Sequence, residues 1–259
     1  MDASRLSAAL LHTFSVVVMA WGYRSMTGSA FDAWIQTQKG GQSQFLTIQG
    51  LALAWTTALI SLTLDAFPGS LLLRKLKRTL SMIAMPLEFL ISLIYWSLLL
   101  LMPNLIVPVS LEPGAASSSS AAPEPFRLDL SIDLALHAVP AVVLLADFVL
   151  FEQRYTRRET TLNAPVLTGA MAVWYASWVE YCASNNGSFP YPFLTYSPLA
   201  VRLMIYGGSS VLAVGMLWVV NALHSHPILG QLESVDPKSV RHQGGLNRRG
   251  PGDTAKATL

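Results

Sequence analysis

Apolar positions along the chain fall into long runs, not into the alternating pattern of strands or the narrow stripe of a soluble amphipathic helix. The runs cover about 6–23, 45–64, 80–102, 128–151, 166–184 and 199–223. A helix rises about 1.5 Å per residue and a bilayer core is about 30 Å thick, so roughly 20 apolar residues cross it. The pattern therefore predicts an all-α polytopic membrane protein, a bundle of six transmembrane helices within residues 1–226. The first run is flanked by Arg5 and Arg24 and continues past His12 and Ser15 to Trp21 without a small-x-small cleavage site. It is read as a retained anchor, against a cleaved signal peptide. Two stretches break the pattern. EPGAASSSSAAPEP, containing the serine and alanine run 115–122, reads as a flexible loop, and 227–259 reads as a disordered tail.

Composition sharpens the picture. The chain is 52% hydrophobic and 12% charged, against about 25% charged in soluble domains. A single cysteine, Cys182, excludes an intrachain disulfide and a multi-cysteine metal site, and a formal charge of +2 gives no footprint for nucleic acid. The placement of basic residues says more than their sum. If the N-terminus is cytosolic, the cytosolic segments hold Arg5, Arg74, Lys75, Lys77, Arg78, Arg154, Arg157, Arg158, Lys238, Arg241, Arg248, Arg249 and Lys256, and only Arg24, Lys39, Arg127 and Arg202 fall elsewhere. This bias predicts an integral, multi-pass protein with both termini in the cytosol, in either an endomembrane or the plasma membrane.

Polar residues inside the apolar runs are the candidates for chemistry. His137 lies within the fourth run and Thr47 opens the second, and on this topology both helices enter from the outer face. Thr47 then sits in the first turn and His137 about 13 Å deep, in the same half of the bilayer. An imidazole within reach of a threonine hydroxyl can take its proton during attack on an ester carbonyl, as in a serine triad with threonine substituted. The unpaired N–H groups at the start of the second helix are candidate oxyanion donors. Asp133 lies four residues before His137, on the same helix face, and can orient the imidazole or simply face water. The plain alternatives are a threonine bonded back to a carbonyl one turn earlier and a histidine satisfied by backbone or water.

The remaining polar residues point to structure. Asp129 reads as solvated, Glu88 and Asp147 as contacts within the bundle, and Glu180 as an interhelical pair more than a site residue. Paired histidines for haem are lacking at facing depths, and His224 and His226 have no third metal ligand beside them. Aromatic residues gather near run ends; Trp174 and Trp178 in the fifth run are expected either as interfacial anchors or as the wall of a lipid-shaped pocket. Asn186-Gly187-Ser188 is a glycosylation acceptor pattern.

Several short motifs occur in order across these runs: FLT at 45–47, PLEF at 86–89 followed by LIYW at 93–96, LALHAVPA at 134–141 with Asp147 behind it, and the NNGSFPYPFL region after Trp174 and Trp178. Together they resemble the androgen-induced protein family, also called the FAR-17a family. The resemblance covers nearly the whole membrane portion and leaves out the tail. It implies a multi-pass membrane hydrolase that cleaves fatty acid esters of hydroxy fatty acids with a threonine and a histidine, here Thr47 and His137. Such chemistry needs no cofactor and no metal. Its substrate is a lipid ester drawn from the surrounding membrane lipids. The serine and alanine insertion and the long tail depart from the more compact members. The competing expectation is a non-catalytic lipid-binding or scaffolding protein in which Thr47 and His137 only stabilise the bundle.

Overall fold

A computed structural model describes residues 3–105 and 128–224; the 115–122 run, Arg127, His226 and the 227–259 tail lie outside the described residues. The described chain is entirely helical. Its long elements are α1 (Ala3–Met26), α3 (Leu46–Ala66), α4 (Leu71–Leu101), α7 (Ala164–Asn186) and α9 (Leu199–Leu223), with α5 (Leu130–His137) and α6 (Val139–Phe151) forming a bent pair. Two short helices, α2 (Ala30–Gln36) and α8 (Pro192–Thr195), lie in the connections on the Thr47 end of the bundle.

Among the described residues, four helices are long and apolar enough to cross a membrane: α1, α3, α4 and α9; the bent pair makes a fifth if it counts as one span. The expected fifth span, α7, has the length but is not among them, because its run is interrupted by Glu180 and by tryptophans and tyrosines of low hydropathy. The helix that holds the expected third span begins before it. The basic cluster Arg74 to Arg78 belongs to α4, which starts at Leu71 with Ser70 as its cap, the hydroxyl accepting from the Leu73 amide at 3.3 Å.

The fourth apolar run is not one straight helix. It breaks at Ala138 with a bend of 43°. Pro140 explains the position: it has no N–H to offer the Leu136 carbonyl, and its ring crowds that carbonyl. His137 is thus the last residue of α5, held at a break in the helix.

Small residues let the helices close on one another. Gly50, Ala54 and Ala58 recur along the buried face of α3, and Gly22 of α1 is so close to α5 that a Cβ there would meet the Ala135 Cβ at 2.8 Å. The shared core is built from Met19, Leu51, Met85, Leu136, Phe148 and Leu217, drawn from α1, α3, α4, the bent pair and α9. Glu180 is an interhelical pair, as expected: Arg202 of α9 donates to its oxygens at 2.7 and 2.8 Å, with Tyr206 donating at 3.2 Å.

A buried polar cluster ties the other end. Asp147 of α6 accepts from His12 at 2.8 Å and from Lys77 at 2.9 Å through one oxygen; His12 meets Asp65 at 2.6 Å through its other nitrogen, and Lys77 meets Glu152 at 2.8 Å. Both ring nitrogens of His12 thus face carboxyl oxygens, one from α3 and one from α6. Lys77, counted above with a cytosolic loop, is buried in this cluster.

Candidate active site

Thr47 and His137, far apart in the chain, line one cavity of about 480 Å³. Its wall is largely aliphatic, with Ile83, Leu87, Leu90, Ile94 and Leu99 all on α4. The polar groups it holds include Thr47, Asp133, His137, Tyr95, Tyr175 and Tyr191. A cleft of this size with few polar groups suits a lipid-sized ligand.

The histidine is built from three elements. The break after α5 fixes its backbone, and Nδ1 lies 3.2 Å from an Asp133 oxygen and 3.2 Å from the Asp133 carbonyl. Tyr95 of α4 stacks on the imidazole, with ring centroids 3.5 Å apart and planes parallel, while its hydroxyl donates to the same Asp133 oxygen at 2.5 Å. Asp133 is 6% exposed, so of the two roles open to it from the sequence it takes the one beside the imidazole. With Nδ1–H directed to these acceptors, Nε2 is the nitrogen left to accept a proton.

Thr47 occupies the first turn of α3, one residue after Leu46 opens the helix. Phe45 precedes it in extended conformation, with φ −85° and ψ 130°, and its ring meets Tyr191 edge-on with centroids 5.8 Å apart. The Tyr191 hydroxyl accepts from the Leu46 amide at 3.0 Å and lies within hydrogen-bonding reach of the Thr47 hydroxyl and amide. The first-turn amides expected as oxyanion donors are therefore occupied by a tyrosine oxygen. Among the described residues no hydrogen bond joins Thr47 to His137.

The pocket wall expected from Trp174 and Trp178 is corrected. Neither lines the cavity. Four residues apart, they share a face of α7 and stack with their rings 2° from parallel; Trp174 donates to the Gln49 side chain and Trp178 to the Ser43 carbonyl, each at 3.1 Å. The turn of the helix puts Tyr175 inward instead, and Thr168, Met171, Ala172 and Tyr175 are the α7 residues that line the cavity. Neither Tyr95 nor Tyr191 was singled out from the sequence for a site role. Their motifs, LIYW and PYPFL, were visible, but the contacts run between helices.

The match to a known family spans the same part of the chain. The family model described as FAR-17a/AIG1-like protein matches residues 7–225, which takes in every residue of the cavity. The chain belongs to the FAR-17a/AIG1-like family. It is also similar to a UPF0641 membrane protein of Schizosaccharomyces pombe, 26% identical over 226 residues, covering 87% of this chain and 93% of the relative. No solved structure matches. Membership in the FAR-17a/AIG1-like family, a membrane-protein relative and the apolar helices make this an integral membrane protein.

Proposed function

We propose that the chain is a membrane-embedded hydrolase of lipid esters, with Thr47 as nucleophile and His137 as base. The observation that carries this reading is that one apolar cavity is lined by both residues, with Asp133 at Nδ1 of the imidazole. In the proposed reaction the Thr47 oxygen bonds to the ester carbonyl carbon while its proton passes to Nε2 of His137. The tetrahedral intermediate then expels the alcohol, which leaves with that proton, and an acyl-threonine remains. Water, deprotonated by the same imidazole, attacks the acyl carbon and releases the fatty acid. The aliphatic α4 wall supports a long acyl chain, and family likeness favours fatty acid esters of hydroxy fatty acids. No cofactor or metal enters the scheme, and no nucleic acid or protein partner is invoked.

The basic-residue bias supports both termini in the cytosol and α7 as a sixth crossing of a multi-pass bundle. A glycosylation tag inserted at 115–122 should be modified and one at the C-terminus should not. Modification of the C-terminal tag alone would overturn that orientation. The rival, a lipid-binding protein without catalysis, draws on the missing hydrogen bond between Thr47 and His137. Ester hydrolysis by membranes with matched protein levels separates the two. Thr47→Ala and His137→Ala should lose activity to a similar degree and the double variant scarcely more, since both disable one step. Thr47→Ser should keep part of the rate. A Thr47→Val protein that hydrolyses lipid esters at the parental rate removes threonine from the mechanism.

A further inference from the structure

Attack on an ester carbonyl places negative charge on the carbonyl oxygen, and stabilising that charge is commonly the largest single catalytic contribution. The helix amides nearest Thr47 do not stand open for this task, because the Tyr191 oxygen accepts from the Leu46 N–H at 3.0 Å and lies against the Thr47 amide. The hydroxyl that sits there is itself a donor. Tyr191 lines the cavity, is within reach of the Thr47 hydroxyl, and is held by edge-on contact with Phe45 and by stacking on Phe193. We propose that Tyr191 is a catalytic residue of this site: its O–H donates to the oxyanion formed when Thr47 adds to a lipid ester carbonyl, while the Leu46 amide polarises it from behind.

This inference rests on the hydrolase reading above. The chemistry favours it in three ways. A phenol that accepts from an amide becomes a better donor, since linked hydrogen bonds strengthen one another. Burial pushes the Tyr191 phenol above its ordinary value of 10.0, so the proton needed for donation is retained at neutral pH. Among the described residues the neutral oxygens of Thr47 and Tyr175 lie beside that proton, and both are weaker acceptors than an oxyanion. The gain is therefore largest in the transition state, the condition for raising kcat. Bonds balance as in the scheme above: the carbonyl π pair moves to oxygen on attack and returns on collapse, and Tyr191 keeps its proton throughout.

The test uses the full chain in detergent with a p-nitrophenyl ester of a long-chain fatty acid and a long-chain trifluoromethyl ketone, which adds to the nucleophile and forms the oxyanion. Tyr191→Phe keeps the ring and deletes the donor. Expected is a kcat loss of about 100- to 1,000-fold at nearly unchanged KM, a matching loss of ketone affinity, and unchanged affinity for the free fatty acid. Leu46→Pro serves as the second variant. It removes the N–H at the first helical position, where proline is tolerated, and should cost about 2- to 12-fold in kcat and ketone affinity. Parental kcat and ketone affinity in Tyr191→Phe overturn the proposal, as does a loss of fatty-acid affinity equal to the ketone loss, which marks a structural role. Thr47→Val is run in parallel. If it is active the hydrolase reading falls and takes this one with it; if it is inactive while Tyr191→Phe is parental, only the role of Tyr191 falls.

Discussion

Replacing Asp133 by asparagine isolates how His137 is held. In the parent, Nδ1 has two acceptors at the same distance of 3.2 Å, the Asp133 carboxylate and the Asp133 carbonyl. In a serine triad, where the aspartate fixes the imidazole tautomer, the Asp→Asn change costs about 10⁴ in kcat. Here the carbonyl survives the substitution and continues to accept from Nδ1–H, so the ring keeps its tautomer. What is lost is one hydrogen bond to a charged group, about 1.5–3 kcal/mol, which at 1.36 kcal/mol per tenfold corresponds to roughly 10- to 150-fold in kcat. Tyr95→Phe removes the 2.5 Å bond to the same carboxylate but leaves the parallel stack on the imidazole, so its loss should be smaller than that of Asp133→Asn. Initial rates of ester hydrolysis across substrate concentration, with thermal unfolding in detergent as a folding control, measure both. A loss in Asp133→Asn equal to that of His137→Ala would show that the carbonyl does not hold the ring. A parental rate would show that the carboxylate plays no part.

Gly22→Ala should destabilise the protein by about 1–3 kcal/mol and lower activity, because the added Cβ would stand 2.8 Å from the Ala135 Cβ, which cannot rotate away, and α5 carries His137; unchanged melting and rate would refute that contact. Glu159 is held down to about 2 from its ordinary 4.5, first by the Arg78 hydrogen bond, so its folded pKa is depressed. The stability it adds is full above about 4.5 and disappears as the pH falls toward about 2. The melting difference between parent and Glu159→Gln should close over that window, and a difference independent of pH would contradict it. Asn186 should remain unglycosylated despite its acceptor pattern, since its amide accepts from the Lys39 N–H at 2.8 Å and donates to the Lys39 carbonyl at 3.1 Å; a glycosidase-sensitive mobility shift lost in Asn186→Gln would refute this.

The parts of this site that the sequence made legible are those whose geometry is local. Helical spacing alone put Asp133 and His137 on one face, and the carboxylate does meet Nδ1. Matching helix depth put Thr47 and His137 in one cavity. The bend at Ala138 was within reach too, because Pro140 stands two residues beyond the break, yet the apolar run gave no reason to divide it. Hydropathy marks the apolar span but not where α4 begins, since Arg74 to Arg78 look like loop when their partners are unknown. Lys77 is helical and buried because Asp147 and Glu152 meet it there. Tyr95 and Tyr191 were hidden for the same reason. Nothing within their own segments says that one will stack on an imidazole and the other accept from a helix start. Trp174 and Trp178 lie on a different face of α7 from Tyr175, which is the aromatic of that helix that lines the cavity, and a sequence without its neighbours does not fix that rotation.

The cluster around Asp147 also bears on how the protein is made. Its members enter the membrane at different times: His12 with α1, Asp65 with α3, Lys77 with α4, and Asp147 only with α6. Charged side chains facing hydrocarbon cost about 2.5–3.5 kcal/mol each on insertion scales, so a nascent bundle that has received α4 but not α6 carries a Lys77 whose partners Asp147 and Glu152 have yet to be synthesised. The earlier helices are thus poor candidates for separate release into lipid. A chain stopped before Val139 presents quality control with an unneutralised Lys77, whereas one stopped after Phe151 does not. The same side chains that pin the finished bundle would thereby mark, during synthesis, whether its first half is complete.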